Sequence, residues 1–236
     1  MDNYYFTLDG ESSLDHGIRL QAPLSFSKPS RKYETISIPG RNGSLHIAEQ
    51  EFEDVTCTAR CFVLSGGAES AVGAAADWLM AGGLRRLETP EDPDVFRVCR
   101  IVEGYETDVR ANTLGVFDVE ITCQPERWRK SGEDEITVEN GQILTNSWRE
   151  SKPLIKATLA GSGQISINGS SISFLPHTGE IWVDCTTQNA YFDTDNKNNL
   201  ISVTNGVFPV LKPGENTIAF SGAVSNVRII PRWWSL

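Results

Sequence analysis

The chain has 236 residues, 39 % hydrophobic and 22 % charged, with a formal net charge of −10. That profile excludes a disordered or collagen-like chain and leaves room for one large or two modest cores. Fourteen basic side chains face 21 acidic ones up to residue 130, and seven face ten beyond it. With no basic stripe to neutralise phosphates, the chain reads as a poor DNA binder, although an acidic surface suits DNA that must pass without sticking.

No apolar run approaches membrane-spanning length, and neither a secretory signal nor a membrane span is expected. Cys57, Cys61, Cys99, Cys123 and Cys185 are odd in number and sit in strand-like runs. They are expected to be reduced, buried thiols made in a cytoplasm, and Cys57 and Cys61 lack the second ligand pair of a zinc site.

In chain order, residues 4–8 and 18–24 read as strands around a turn-rich 9–17. Residues 32–55 then form the most organised stretch. Tyr33, Thr35 and Ser37 alternate with Ile36 and Ile38, the period of a half-buried strand. Pro39 and Gly40 suit the centre of a turn, Asn42-Gly43 tolerate left-handed geometry, and Leu45 and Ile47 resume the alternation. The expectation is a long hairpin with an ordered tip exposing Arg41; its plainer reading is an ordinary surface hairpin.

Residues 52–64 form the next strand. Residues 68–80 are the one convincing helix: Val72, Ala75, Ala76 and Leu79 follow helical spacing, Glu69 lies in the first turn, and Gly82-Gly83 end it. Strands follow at 84–87 and 95–102, separated by the Pro-Glu-Asp-Pro turn of 90–93. The clearest strand is 116–123, with Phe117, Val119, Ile121 and Cys123 on one face and Asp118, Glu120 and Thr122 on the other. A polar, aperiodic stretch at 127–139 sets a domain boundary between 1–130 and 131–236.

The second part shows no helical pattern. Its strongest local signal is Ile165, Ile167, Asn168-Gly169, Ile172 and Phe174, a hairpin. Short strands at 181–184, 189–192, 200–203, 217–220 and 224–230 alternate with turn signals, which points to a β-sandwich or jelly roll. The fold class expected is mainly β: an N-terminal β-sandwich with one α-helix, followed by a C-terminal β-sandwich.

No catalytic, cofactor or metal constellation emerges. Gly161-Ser162-Gly163 lacks a nucleophile elbow, and His16, His46 and His177 lie in turn-like sequence without an evident partner. Asp118 and Glu120 share a strand face and do not oppose one another across a cleft. Asp193-Thr194-Asp195-Asn196-Lys197 begins like a calcium loop, but Lys197 stands where a ligand oxygen belongs; 193–199 reads as a hairpin tip or surface loop. Trp182, Tyr191, Phe192, Trp233 and Trp234 offer either core aromatics or a sugar-stacking platform. Adjacent Trp233 and Trp234 must face opposite ways if extended.

These motifs, in this order, resemble the distal tail protein (Dit) family of siphophages and their prophages. The resemblance is carried by I-P-G-R-N-G (38–43), F-E-D-V-T (52–56), W-L-M-A-G-G (78–83), P-E-D-P-D-V-F-R-V (90–98) and G-V-F-D-V-E-I-T-C-Q-P (115–125). Beyond the boundary it continues in V-D-C-T-T-Q-N-A-Y, F-P-V-L-K-P-G-E-N-T-I and V-R-I-I-P-R-W-W.

The resemblance implies a non-enzymatic structural part of a virion tail tip or baseplate hub, assembled in a bacterial cytoplasm. It implies a tail-tube-like first domain forming a homo-hexameric ring around a DNA channel, joined to the tail tube protein. It also implies a galectin-like second domain that docks a tail-associated tip protein and receptor-binding or baseplate proteins, with no membrane partner and no cofactor. Ile38, Pro39, Gly40, Arg41, Asn42 and Gly43 become candidates for the ring interface. Trp182, Tyr191, Trp233 and Trp234 become candidates for partner or glycan contact. The alternative reading is a carbohydrate-binding module that recognises host surface glycans through those aromatics.

Overall fold

The computed structural model describes residues 4–40 and 42–236. The chain divides into two compact units, Met1–Arg127 with Leu236, and Trp128–Ser235.

In the first unit the strands are β1 (Thr7–Leu8), β2 (Glu11–Ser12), β3 (Ile18–Leu20), β4 (Arg31–Ser37), β5 (Ser44–Phe52), β6 (Val55–Leu64), β7 (Arg85–Glu88), β8 (Val95–Arg100), β9 (Thr107–Arg110) and β10 (Leu114–Cys123). The main sheet runs β2-β1-β7-β8-β10-β6-β3, with β9 paired to the start of β10. Strand β10 obeys its alternation: Phe117, Val119, Ile121 and Cys123 are buried while Asp118 and Glu120 are exposed. It pairs with β6 without a bulge, from Leu114↔Leu64 to Cys123↔Val55. Burying one face of an alternating strand fixes register, because a one-residue slip would turn every apolar side chain to water.

The helix α1 (Ala68–Leu79) lays Ala68, Val72, Ala75, Trp78 and Leu79 on the core. It lies so close to the sheet that a Cβ on Gly115 would sit 2.6 Å from Val72 Cγ2. Its N-terminus has no side-chain cap of its own. Instead the Ala68 amide donates to the Asn112 carbonyl at 3.2 Å, from the β9–β10 turn in which Ala111 and Asn112 both have positive φ. His16 gains a partner from tertiary structure: its ring stacks on Trp78 with centroids 4.3 Å apart.

The five cysteines are free and buried. Burial pushes the Cys57, Cys61 and Cys185 thiols up to about 12, which removes them as nucleophiles at neutral pH. No described helix is long and apolar enough to cross a membrane.

After β11 (Arg127–Arg129), the second unit is built of β12 (Ile136–Thr137), β13 (Ile143–Asn146), β14 (Leu154–Ile167), β15 (Ser170–Asp184), β16 (Asn189–Phe192), β17 (Asp195–Asn196), β18 (Ile201–Val203), β19 (Gly214–Ile230) and β20 (Trp234–Ser235). Three long strands, in the order β19-β14-β15, form the frame. The β14–β19 ladder slips between Lys156 and Thr158, and both ladders slip as β14 passes Gly161–Gly163. There a Cβ on Gly222 would come within 2.6 Å of the Ser162 carbonyl oxygen, so the strands cross only because a side chain is missing. Bulges of this kind bend strands from one layer into the next. Each long strand therefore serves two layers: Ile155, Leu159, Val183 and Ile229 lie on one side of the bend, Ile165, Ile167, Ile172 and Ile218 on the other, and all join one core. The expected turn is present, with Asn168 at φ 52° and Gly169 at φ 86° between β14 and β15.

Candidate assembly surfaces

Strands β4 and β5 make a two-stranded sheet of their own, paired to no other strand among the described residues. Ile36 stands opposite Leu45 and Glu34 opposite Ile47, so these four side chains share one face. That face is aliphatic and open: Ile36 is 37 % exposed, Leu45 39 % and Ile47 45 %, with Ile38 following at 38 %. Tyr33, on the reverse face, is 60 % exposed. The period of a half-buried strand is thus realised on β4 with every residue from Arg31 to Ser37 exposed. An isolated two-stranded hairpin is marginal in water, and a clustered apolar face marks an interaction site.

At the tip, Gly40 (φ 84°) and Gly43 (φ 82°) take the left-handed conformations the sequence requires, with Pro39 preceding and Asn42 exposed. Arg41 lies outside the described residues. The structure therefore brings Ile38, Pro39, Gly40, Asn42 and Gly43 together at the end of one projecting element.

The aromatic candidates of the second unit separate. Trp233 is 7 % exposed and belongs to the core, while Trp234 lies nearer the surface, its Nε1 donating to the Glu150 carbonyl at 2.8 Å. Opposite orientation of neighbours in extended chain accounts for the split. Trp233 therefore fills the core and offers no contact surface.

Trp182 and Tyr191 do come together, in a row Arg228–Lys156–Trp182–Tyr191 across four strands. The Trp182 ring meets Tyr191 and Phe192 edge-on, each with centroids 5.7 Å away, and Lys156 Nζ lies 4.6 Å over its face. Glu135 accepts from Lys156 at 2.6 Å and from Arg228 at 2.8 Å, and Glu180 accepts from Arg228 at 2.8 Å. The bond from Lys156 holds the Glu135 carboxyl below the usual carboxylate range. A sugar ring stacks on a bare aromatic face; here one face of Trp182 is already covered by an ammonium group tied into an ion network.

Sequence reasoning missed a pocket in the first unit, with a volume of about 240 Å3. Leu24, Phe26, Leu87 and Val95 supply apolar walls. Arg97 lies half-buried in it, its guanidinium 4.4 Å over the Phe26 ring. Asp92 is paired with Arg127, and Lys28 and Glu91 sit on the exposed rim. No sequence signal ties residues 24–28 to 87–97; only the fold joins them.

No family model matches the sequence, and no curated protein matches it. By shape, the chain is similar to the crystal structure of SPP1 Dit (gp 19.1), described as a paradigm of the hub adsorption apparatus in phages infecting Gram-positive hosts. The TM-score is 0.65 at 13 % identity, over 96 % of this chain and 98 % of that one. The two proteins share a mainly β fold along their whole lengths.

Proposed function

We propose that this chain is a structural, non-enzymatic distal tail protein of a siphophage or prophage, the hub joining tail tube to tip. The observation that supports the reading most is the end-to-end likeness to SPP1 Dit, in which both halves of the chain find counterparts in one protein. In this reading the first unit closes a hexameric ring around the DNA channel, and the hairpin 31–52 contributes to ring assembly. The open aliphatic face of Ile36, Leu45 and Ile47 is the local support, because it needs a cover that the described residues do not supply. The acidic balance of residues 1–130 suits a lumen that releases DNA. The second unit docks tip, receptor-binding or baseplate proteins through its outward polar row, with Trp182 and Tyr191 among the contacts.

Native mass spectrometry of the purified chain across concentration and salt tests the ring. A closed hexamer that is lost on deleting residues 39–44 supports the reading. An unchanged hexamer after that deletion removes the hairpin from it. The glycan-binding alternative has one observation in its favour, the gathering of Trp182, Tyr191 and Phe192. It requires glycan-array binding that disappears on Trp182→Ala.

A further inference from the structure

Two unpartnered features of the first unit are complementary. On the hairpin, Glu34 is exposed, forms no ion pair or hydrogen bond among the described residues, and shares its face with Ile36, Leu45 and Ile47. In the pocket, Arg97 stacks on Phe26 and its N–H groups have no acceptor among the described residues. The pocket carries three cations and two carboxylates. Arg127 and Asp92 neutralise one another, and Lys28 and Glu91 bring one charge of each sign to the exposed lining. One surplus positive charge remains, on the half-buried Arg97.

Desolvated cations of this kind are ordinarily matched by an acceptor, and a guanidinium offers a planar fork suited to a carboxylate. The volume of about 240 Å3 lies below that of small-molecule sites and suits the side chains of a docking segment. A chain of net charge −10 repels its own copies, so self-association needs a local contact of opposite sign. The hairpin carries such a sign within an apolar face, as the pocket does with charge reversed.

We propose that this pocket is the acceptor for the hairpin of a second copy of the chain. Arg97 donates to the Glu34 carboxylate, while Ile36 and Ile47 pack against Leu24, Phe26, Leu87 and Val95. The proposal rests on the ring reading above and gives the hairpin its seat.

The test is charge exchange in the full chain, read by sedimentation equilibrium. The variants are Glu34→Arg, Arg97→Glu and the two combined, with Arg97→Met as a second pocket variant and circular dichroism monitoring the fold. Glu34 is exposed, so its variant leaves the monomer intact. Each single variant is expected to weaken self-association by about tenfold or more, and the combined variant to recover it, since the two exchanged charges then meet across the contact with opposite sign restored. Association of the wild type that Glu34→Arg leaves unchanged, or a combined variant no better than the singles, overturns the pocket assignment and leaves the ring standing. A wild type that is monomeric at every concentration overturns both. Loss of association in all charge variants together with Arg97→Met, without recovery in the exchange, assigns Arg97 a structural role and also overturns the docking.

Discussion

The chain contains two hairpins written in nearly the same code, and they have opposite fates. Around Asn168-Gly169, Ile165, Ile167, Ile172 and Phe174 are at most 3 % exposed, because β19 flanks β14 and the bent strands close a second layer over them. Around Asn42-Gly43, Ile36, Ile38, Leu45 and Ile47 are 37 to 45 % exposed, and no third strand joins them among the described residues. Alternation specifies that a face wants cover. It does not specify whether the cover lies in the same chain. The first hairpin holds the fold together, and the second is, in our reading, the part of the molecule finished by another copy.

The comparison is broken most severely in the second unit. Ile172→Ala leaves a hole at a fully buried position and is expected to cost about 2–5 kcal/mol in denaturant unfolding. A loss below about 1 kcal/mol would mean that the site collapses around the gap and the two layers are loosely packed.

Asp184→Asn comes next. Asp184 receives both Arg232 guanidinium nitrogens, at 2.7 and 2.9 Å, and the Thr186 and Thr187 amides. Burial alone would raise its pKa, but these donors outweigh burial and hold it below the usual carboxylate range. With the folded pKa depressed, the stabilisation is complete above the unfolded value near pH 4 and fades as the pH falls through the folded one. The substitution should cost about 2 kcal/mol at neutral pH and flatten the acid side of the stability profile, as measured by unfolding at stepped pH.

Gly169→Ala places a Cβ at φ 86° and should cost about 1 kcal/mol, since the turn demands left-handed geometry while the space around it is open. Smallest for the monomer is the pair Ile36→Ser and Ile47→Ser. At positions this exposed, each is expected to move unfolding by no more than about 0.5 kcal/mol. Self-association, followed by sedimentation, is where that pair should tell.

These contrasts also mark what the sequence made legible. Period-2 alternation located β10 and its core face residue by residue, Asn-Gly located both hairpin tips, and helical spacing placed the helix to within one residue of Ala68–Leu79. Short-range chemistry of that kind is written where it acts. The bend that folds β14, β15 and β19 over a single core was not legible, since it arises where Ser162 and Gly163 meet Gly222, far along the chain. The Arg97 pocket was hidden for the same reason. Trp182 could be named but not its Lys156 cover, which stands on a neighbouring strand. Trp233 read as equal to Trp234, and only the core decided between them.

Hydrogen–deuterium exchange of residues 31–52, compared between the dispersed chain and its assembled form, tests the central claim most directly. The account predicts rapid exchange in the dispersed chain, where a two-stranded ribbon has outer edges open to water, and strong protection of the same amides after assembly. Equal exchange in both states would contradict it, because the open aliphatic face would then remain uncovered in the working form of the protein.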